Sequence, residues 1–495
     1  MFSRPSRKKG LALIKSKSVK FRKTKVVCTI GPASRDEETL RQLIRSGMDV
    51  ARLNFSHSDA ETHKENVERI RRISEEEQQP VAILVDLQGP KFRMGEIEND
   101  GILVREGESV RLAPEDFAKE NQEALPVQNE NFMEVVSVGD RVLIDDGLIE
   151  LRVTGKDETH IDCDVIIGGM IKSNKGMNLP GVSSDLPSMT EKDYHDLVHA
   201  LDWEVDWIAL SFVRSAKDIK TLKEVIKAKT EFPIPVMAKI EKPEALARID
   251  EIVAASDAVM VARGDLGIEI PTEQVPTAQK RIIEKCNKVG IPVVIATQML
   301  DSMIRNPRPT RAEASDVANA LFDGADAVML SGETTIGNYP VESVITMEKI
   351  IAEVEKNQQN YPVRSFQPLE ESINLSIARA VASAAREVSE NLKTAAIIAI
   401  TASGYTARIV SRYRPYAPIL AITPDKRVQR QLNLFWGVNP LLAPRTDNTD
   451  EMIATALQVV RDKGLVRAGD LVAITAGTAG SEPGTTNLVR IQQVG

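Results

Sequence analysis

The feature that most constrains this 495-residue chain is a repeated alternation of short apolar segments with longer amphipathic segments. Three such strand–helix units precede a long interruption and five follow it. The eight strands are predicted at Val26–Ile30, Val50–Ser56, Val81–Asp86, Trp207–Phe212, Pro235–Ile240, Ala258–Ala262, Pro292–Thr297 and Ala327–Leu330. Strands that alternate with helices form parallel sheets, and eight β–α units predict a closed (β/α)8 barrel of the TIM-barrel class.

The interruption and the C-terminal part of the chain predict two further domains. From about residue 90 to 185 the sequence has short alternating strands, turn residues such as Gly168-Gly169 and almost no helical periodicity, which indicates an inserted small all-β domain. An α/β pattern returns near Asn357 with a helix over Glu370–Asn391 and a strand over Ala395–Ile400. The predicted division is a basic lead over 1–23, a barrel over 24–89 and 186–356, the insertion over 90–185, and a C-terminal domain over 357–495.

Polar and charged residues follow nearly every predicted barrel strand. In a barrel of this class the active site forms at the rim where strands end and loops begin. Any single one of these residues could be a helix cap or a satisfied core group, but their joint placement predicts an active site. The residues are Arg52, Asn54, Asp86, Ser211, Lys239, Glu241, Asp265, Thr297 and Glu333.

The segment Val236–Glu244 carries the most informative pair. Lys239 and Glu241 are two positions apart, so on a strand they point to the same face, where burying both is costly unless they are used. The next strand also ends in a carboxylate, Asp265, between Gly264 and Gly267. Two carboxylates and a lysine at neighbouring strand ends favour a site for a divalent metal and a phosphate. The alternative for Lys239 and Glu241 is a structural ion pair.

Composition and charge narrow the function classes. The net charge of −8 does not favour nucleic-acid binding, and no apolar run reaches the roughly 18 residues of a membrane helix. The three cysteines have no metal-ligand spacing, which predicts reduced thiols and a cytoplasmic protein. The first 25 residues hold ten Lys or Arg and no acid. We favour a solvated basic lead, in which Leu11–Ile14 could form one helical turn, over a transit peptide or an anionic-surface tether.

Seven motifs, in order along the chain, resemble those of the pyruvate kinase family. The resemblance implies a catalytic barrel, a β-barrel lid in place of the insertion, and a C-terminal regulatory domain. It also implies phosphoryl transfer from phosphoenolpyruvate to ADP, with Mg²⁺ or Mn²⁺, usually in a homotetramer. The motifs are Ala51–His57, Asp86–Lys91, Lys175–Gly181, Ala238–Glu241, Val261–Gly267, Ala296–Leu300 and Ser331–Thr334.

The resemblance also implies roles for single residues. Glu241 and Asp265 would hold the metal, while Lys239 and Arg52 would face the transferring phosphoryl group. Backbone N–H groups near Gly264 and Asp265 would grip the substrate carboxylate. Thr297 would relay a proton to the enolate, and Ser211 would lie against the substrate. The nucleotide would be bound by Arg93, Lys192, His57 and Asn54.

One motif departs from the pattern of many family members. The residue after Asp86 is commonly a threonine that helps to hold K⁺, but here it is Leu87, which has no side-chain oxygen. Lys91 brings a positive charge where that subgroup has a glutamate. An ammonium has about the size and charge of K⁺, which predicts catalysis without K⁺. Asn54, Ser56 and Asp86 still match monovalent-ion ligands, so weak K⁺ binding stays open.

The C-terminal domain holds a candidate effector site. Thr401, Ser403 and Thr406 precede or open a helix predicted over Ala407–Arg414, and by resemblance they would bind the phosphate of a sugar phosphate or nucleotide monophosphate. The loop Ala476–Thr486, predicted to be mobile, would close over it. Two other functions stay open: a metal-dependent barrel lyase or aldolase acting on phosphoenolpyruvate or 2-oxo acids, and a non-catalytic phosphosugar sensor.

Overall fold

The computed structural model describes residues 21–99, 101–121, 123–129, 131–182, 187–357, 373–446, 448–478 and 485–495. Several predictions fall outside these residues. They are the helical turn Leu11–Ile14, the first residues of the helix predicted from Glu370, most of the Ala476–Thr486 loop, and the C-terminal boundary of the insertion.

The chain begins with three strands and two helices of the barrel. Helix α1 starts where the Asp36 side chain accepts the Thr39 N–H, and it ends at Gly47, whose φ of 115° suits a residue without a Cβ. An aspartate before the first turn and a glycine after the last are residue types that favour these two ends. The elements are β1 (Lys25–Thr29), α1 (Glu37–Ser46), β2 (Val50–Asn54), α2 (Ala60–Glu76) and β3 (Ala82–Asp86).

The insertion is rich in strands, as predicted, and it also contains two short helices. These helices have six and five residues, too few to show a helical period in the sequence. Seven strands form one sheet in the order β4-β12-β8-β9-β10-β6-β7, and β11 pairs with β5. The elements are β4 (Phe92–Arg93), β5 (Ile102–Val104), β6 (Ser109–Pro114), α3 (Glu115–Glu120), β7 (Ala124–Val127), α4 (Asn131–Val135), β8 (Arg141–Ile144), β9 (Ile149–Lys156), β10 (Ile161–Ile167), β11 (Gly169–Ile171) and β12 (Gly176–Asn178).

The chain then returns to the barrel and supplies its other five strands. Helix α9 begins directly after a strand and so carries Asp265 in its first turn. The elements are α5 (Glu191–Asp202), β13 (Trp207–Leu210), α6 (Ala216–Lys229), β14 (Val236–Ile240), α7 (Pro243–Ala247), α8 (Ile249–Ala255), β15 (Ala258–Ala262), α9 (Arg263–Glu269), α10 (Val275–Val289), β16 (Val293–Ala296), α11 (Arg311–Asp323), β17 (Ala327–Leu330), α12 (Gly332–Thr335) and α13 (Pro340–Asn357).

Eight parallel strands close into a barrel in the order β1-β17-β16-β15-β14-β13-β3-β2, which confirms the predicted fold class. Alternate residues of each strand face the helices or the barrel interior. Val236 and Ala238 pack in the layer under the helices, whereas Met237 packs inside the barrel. Lys239 and Glu241 continue the Met237 face, so both reach the interior at the carboxyl end of β14.

The C-terminal domain is a five-stranded sheet with helices, in the order β20-β19-β18-β21-β22. Strands β21 and β22 are antiparallel neighbours. Helix α15 begins two residues before its predicted start. The elements are α14 (Ile373–Leu392), β18 (Ala396–Ile400), α15 (Tyr405–Arg412), β19 (Ile419–Thr423), α16 (Lys426–Gln431), β20 (Val438–Leu442), α17 (Thr449–Asp462), β21 (Leu471–Ala476) and β22 (Leu488–Gln493).

A buried ion cluster ties the barrel to the C-terminal domain. The Asp206 side chain, 1% exposed, lies 2.9 Å from Arg71 Nη2 and 2.7 Å from Arg430 Nε. Its Oδ2 also accepts the Ile83 N–H at 2.8 Å, near the amino end of β3. The amino ends of the strands are therefore joined to the C-terminal domain, while the carboxyl ends open toward the insertion. Within the described part of the chain, no helix has the length and apolar character to cross a membrane.

Candidate active site

Lys239 is the centre of a buried network at the carboxyl ends of the strands. Its Nζ lies 2.9 Å from Glu241 Oε1 and 3.2 Å from Asp86 Oδ1, and it donates to Ser211 Oγ at 2.7 Å. The ion pair read from the sequence is therefore part of a larger cluster, because β3 and β13 bring Asp86 and Ser211 to the same place. Burial alone would lower the pKa of Lys239, but Asp86 and Glu241 raise it above its usual value. The side chain is an ammonium at any physiological pH.

Arg52 enters the cluster from β2. Its Nε donates to Asp86 Oδ2 at 2.7 Å, and its Nη1 donates to Thr29 Oγ1 at 2.9 Å. Burial would raise the pKa of Asp86, yet Lys239 and Arg52 together lower it, so Asp86 is a carboxylate. Asp86 pairs with both cations and fixes their positions. The sequence analysis had assigned it only to a monovalent-ion site.

Glu241 and Asp265 are the other two acidic residues of the site. Glu241 Oε2 accepts the Phe212 N–H at 2.8 Å, which Phe212 presents from a left-handed conformation with φ 53°. Burial raises the pKa of Glu241 although Lys239 opposes the shift, and the Asp265 carboxylate adds to the rise. Asp265 is half-buried, which would raise its pKa, but Lys91 and Lys239 lower it instead. Lys91 Nζ lies 2.8 Å from Asp265 Oδ1.

These carboxylates fit a divalent cation. Glu241 Oε1 is buried and makes no hydrogen bond within the described residues, although Lys239 Nζ is near. No group of three or more His, Cys, Asp or Glu that could hold a metal occurs in the described ranges. Two carboxylates with few other protein ligands are the pattern of Mg²⁺ sites, where substrate phosphates and waters complete the shell.

Thr297 lies beside Asp265 in a left-handed conformation, with φ 68°. Its Oγ1 accepts the Gly264 N–H at 2.8 Å and donates to the Ala296 carbonyl at 2.6 Å. Arg263 Nη2 donates to the Thr297 carbonyl at 2.8 Å, and Arg263 Nη1 binds both oxygens of Asp316. The Gly264 N–H, which was predicted to bind the substrate carboxylate, is thus engaged by Thr297 in this structure.

A cleft of about 340 Å³ covers the network. The rim and the insertion both line it, as expected for a lid above a barrel. Asn54, Ser56, His57 and Arg93 line it, and the insertion adds residues to which the sequence analysis gave no role. Those residues are Asp145, Asp146, Asn174, Lys175 and Gly176.

Of two residues predicted to bind the nucleotide, one lines the cleft in this structure and the other does not. Lys192 is not among the residues that line the cleft; its Nζ donates to the Phe55 carbonyl at 2.8 Å and to Asp196 at 2.6 Å. His57 does line the cleft. Burial lowers its pKa, and Arg93 and Arg52 lower it further, so its imidazole is neutral near pH 7.

At the predicted monovalent-ion site, the Leu87 side chain is fully buried and offers no oxygen to a cation. Asn54 Oδ1 accepts the Ser56 N–H at 3.2 Å, and Asp86 is engaged with Arg52 and Lys239. Lys91 contacts Asp265 rather than these groups. Its ammonium therefore lies beside Asp265, one of the two predicted metal ligands.

The candidate effector loop lies in the C-terminal domain. Gly404, with φ 82°, precedes α15. Thr406 Oγ1 lies 2.9 Å from Thr486 Oγ1, so the helix start meets the end of the Ala476–Thr486 loop. Thr401 is buried and Ser403 is exposed. The structure brings Thr406 to this loop, but Ser403 faces the barrel side.

Sequence reasoning missed several residues of the site. Phe212 acts through its backbone N–H, which no side-chain pattern reveals. Asp145 and Asp146 both have left-handed conformations, with φ 53° and 56°. The Asp145-Asp146-Gly147 sequence is typical of a tight turn, which could have been predicted, but only the tertiary structure shows that this turn faces the cleft.

A closed (β/α)8 barrel with buried Lys, Arg and acidic groups at its carboxyl rim, under an inserted β domain, defines a barrel enzyme of the phosphoryl-binding, divalent-metal kind. Two family models match the chain. One described as "Pyruvate kinase, barrel domain" covers residues 21–344, and one described as "Pyruvate kinase, alpha/beta domain" covers residues 379–492. The chain belongs to the pyruvate kinase family.

Curated relatives agree with this assignment. The chain is 47% identical over 475 residues to "Pyruvate kinase" of Geobacillus stearothermophilus, covering 96% of this chain and 80% of that protein. It is 46% identical to "Pyruvate kinase" of Bacillus licheniformis, covering 96% and 81%. It is also 46% identical to "Pyruvate kinase 2" of Synechocystis sp., covering 96% and 79%.

Proposed function

We propose that this chain transfers a phosphoryl group from phosphoenolpyruvate to ADP, giving pyruvate and ATP, as the last step of glycolysis. The observation that carries the proposal is the buried Lys239 ammonium, held between Asp86 and Glu241 beside Asp265. Phosphoryl transfer needs positioning and charge neutralisation more than covalent participation. A fixed, always protonated cation beside a metal-binding carboxylate pair meets that need.

The roles of the other residues follow from their contacts. Lys239 cannot act as a base, because Asp86 and Glu241 keep it protonated; it stabilises negative charge on the transferring group. Arg52 presents its guanidinium from β2, fixed by Asp86 and Thr29. A Mg²⁺ or Mn²⁺ ion held by Glu241 and Asp265 would supply further charge neutralisation.

Protonation of the enolate is assigned to the region of Thr297. Arg263 holds the Thr297 carbonyl, and the Gly264 N–H holds its hydroxyl oxygen, so the hydroxyl has one orientation. To relay a proton to carbon, the hydroxyl would release the Ala296 carbonyl, give its proton to carbon and take one from a neighbouring water. Arg93 and His57 line the part of the cleft that we assign to the nucleotide phosphates. Lys192 would bind the nucleotide only after its contact with Asp196 is broken.

The activity test is pyruvate and ATP formation from phosphoenolpyruvate, ADP and Mg²⁺, first in K⁺-free buffer and then with added K⁺. We expect turnover in both, with Lys91 as the internal cation. Turnover only with K⁺ would keep the activity and discard the role of Lys91. Product formation without ADP would favour a lyase or aldolase. No turnover with either metal, also in the presence of sugar phosphates, would favour the phosphosugar sensor.

Regulation through the C-terminal domain is the second part of the proposal. A phosphorylated sugar or nucleotide monophosphate would bind at Thr401, Ser403 and Thr406, and the contact between Thr406 and Thr486 supports closure of the neighbouring loop over it. Thr401→Ala combined with Ser403→Ala should keep basal activity and abolish activation. Retained activation in the double variant would place the effector elsewhere.

The remaining assignments are organisational. We propose a homotetramer, to be tested by light scattering of the full chain. We also propose a cytoplasmic enzyme with domains bounded at residues 24–89 with 186–356, 90–185 and 357–495. The three cysteines are free and buried, which suits a reducing compartment.

A further inference from the structure

A second cavity of about 580 Å³ lies between the barrel and the C-terminal domain. We call it the interdomain cavity. Its barrel wall includes Lys223 and Lys227 of α6 and the segment leading into β14, and its other wall includes Ser403, Arg408 of α15 and Phe435. It shares no lining residue with the active-site cleft. Its volume falls within the roughly 300–1,000 Å³ of small-molecule sites.

Arg408 is the unusual group of the interdomain cavity. Its guanidinium makes no hydrogen bond or ion pair with any residue in the described ranges, and its Cζ lies 5.9 Å from the Phe435 ring centroid. Burial lowers its pKa, which the charge of Asp257 opposes. Asp257 itself is engaged: its Oδ2 lies 2.8 Å from Lys223 Nζ and accepts the Val236 N–H at 2.9 Å. A half-buried guanidinium without an acceptor is suited to receive an anion.

The charges around Arg408 limit what that anion can be. The cavity is lined by three cations, Lys223, Lys227 and Arg408, and by two carboxylates, Glu231 and Asp257. The balance is a single positive charge. A ligand with one negative charge matches this balance, whereas a doubly charged phosphate would be repelled by the two carboxylates.

The rest of the lining indicates the body of the ligand. Phe232 and Phe435 contribute aromatic rings, and Leu432 and Ile226 contribute aliphatic side chains. Phe232 is 50% exposed, and Arg427 stacks on it with its Cζ 3.6 Å from the ring centroid. Aromatic rings that lie near cations suit a ligand with a flat apolar ring and an acid group.

We propose that the interdomain cavity binds a small aromatic monocarboxylate, with its carboxylate on Arg408 and its ring against Phe435 and Phe232.

The position of the cavity connects its ligand to both functional ends of the chain. Asp257 and Val236 exchange backbone and side-chain hydrogen bonds at 2.9 Å, at the start of β15 and β14. Lys239 lies near the end of β14, and Asp265 lies in the first turn of α9, directly after β15. On the other wall, Ser403 belongs to the candidate effector loop. An occupant therefore contacts groups joined to the catalytic strands and to the C-terminal domain, and we expect it to shift the half-saturating concentration of phosphoenolpyruvate.

The binding test uses calorimetric titration of the full chain with naphthoate, an aromatic monocarboxylate. We expect one site per chain in the wild type, at least about tenfold weaker binding in Arg408→Leu, and unchanged binding in Arg461→Leu. The control is apt because Arg461 is an exposed arginine of α17 that does not line the cavity. Unchanged affinity in Arg408→Leu would overturn the proposal.

Two further arms guard the result against loss of folding and against a different ligand class. Lys227→Glu changes an exposed residue on the rim of the cavity and should also weaken naphthoate binding. Wild-type affinity in that variant would overturn the assigned charge balance. Inorganic phosphate should not displace naphthoate; displacement would overturn the monocarboxylate class.

The coupling test alone rests on the proposed function. Naphthoate should change the half-saturating phosphoenolpyruvate concentration of the wild type and of Arg461→Leu but not of Arg408→Leu. Equal effects in all three proteins would overturn coupling through Arg408. Since calorimetry needs no turnover, a failure of the proposed enzyme activity would leave the binding result readable.

Discussion

Replacement of Lys91 by methionine is expected to make this enzyme depend on added K⁺. Lys91 Nζ lies 2.8 Å from Asp265 Oδ1, and the two side chains are only 18% and 24% exposed. The network then contains three cations, Arg52, Lys91 and Lys239, and three carboxylates, Asp86, Glu241 and Asp265. Lys91→Met keeps the length of the side chain and leaves one carboxylate in excess at the site of phosphoryl transfer.

The size of the effect follows from that geometry. Two unit charges 2.8 Å apart in a medium of effective dielectric constant about 20 attract by about 6 kcal/mol, which is an upper bound. In the variant, water and the metal replace part of the lost interaction. The net loss is then that of one charge-assisted hydrogen bond, about 1.5–3 kcal/mol. This corresponds to a fall of about 10- to 100-fold in kcat/KM for phosphoenolpyruvate without K⁺.

The assay is pyruvate formation with tetramethylammonium as the only monovalent cation, repeated with K⁺. K⁺ should recover part of the activity of Lys91→Met, because a monovalent cation can then compensate the carboxylate charge that Asp265 no longer shares with Lys91. Lys175→Met is the matched control: Lys175 lines the same cleft and pairs with Asp145 at 2.8 Å, so its loss should create no response to K⁺. Full activity of Lys91→Met without K⁺ would refute the reasoning, as would a tenfold or greater activation of the wild type by K⁺.

Three other changes have defined outcomes. Glu241→Gln should weaken Mn²⁺ binding by more than about tenfold, because loss of a group that merely orients a metal ligand already costs about tenfold. Electron paramagnetic resonance measures the affinity, and an unaltered affinity would remove Glu241 from the metal site. Asp206→Asn should lower the free energy of unfolding by about 3–5 kcal/mol, because it leaves Arg71 and Arg430 without their buried partner; guanidinium unfolding measures this, and an unchanged midpoint contradicts it. His57 has a lowered pKa and is already neutral near pH 7. The plot of kcat/KM against pH should therefore show no inflection from His57 titration at pH 7 and above. The pH profile of His57→Gln should have the same shape, and a lost inflection would contradict this.

Secondary-structure periodicity carried most of the fold prediction. The predicted strand Ala258–Ala262 and the predicted strand Ala327–Leu330 have those bounds in the structure, because each is a buried run with no ambiguity of period. The short helices Glu115–Glu120 and Asn131–Val135 escaped prediction, since one or two turns carry no detectable repeat. Helix α15 began earlier than predicted because Gly404, rather than a later residue, ends the preceding loop.

The candidate site was predictable where a local rule applied. Lys239 and Glu241 are two apart on a strand, and this spacing alone placed them on one face. The contact of Lys91 with Asp265 joins residues 174 positions apart, and no local rule reports such a pair. The same is true of Lys192, which was expected at the nucleotide but contacts Phe55 and Asp196 in this structure.

The sequence by itself determined the alternation that closes the barrel, the insertion after the third strand, and the residue types at the rim. These properties depend on hydrophobic period and on neighbours a few positions away. Only the tertiary structure decided the protonation states and the partners: Asp86 binds Arg52 and Lys239, and Arg408 meets no acceptor in the described part of the chain. The physical reason is that charge–charge energies depend on distance and burial, which are set by the packing of strands that are far apart in the chain.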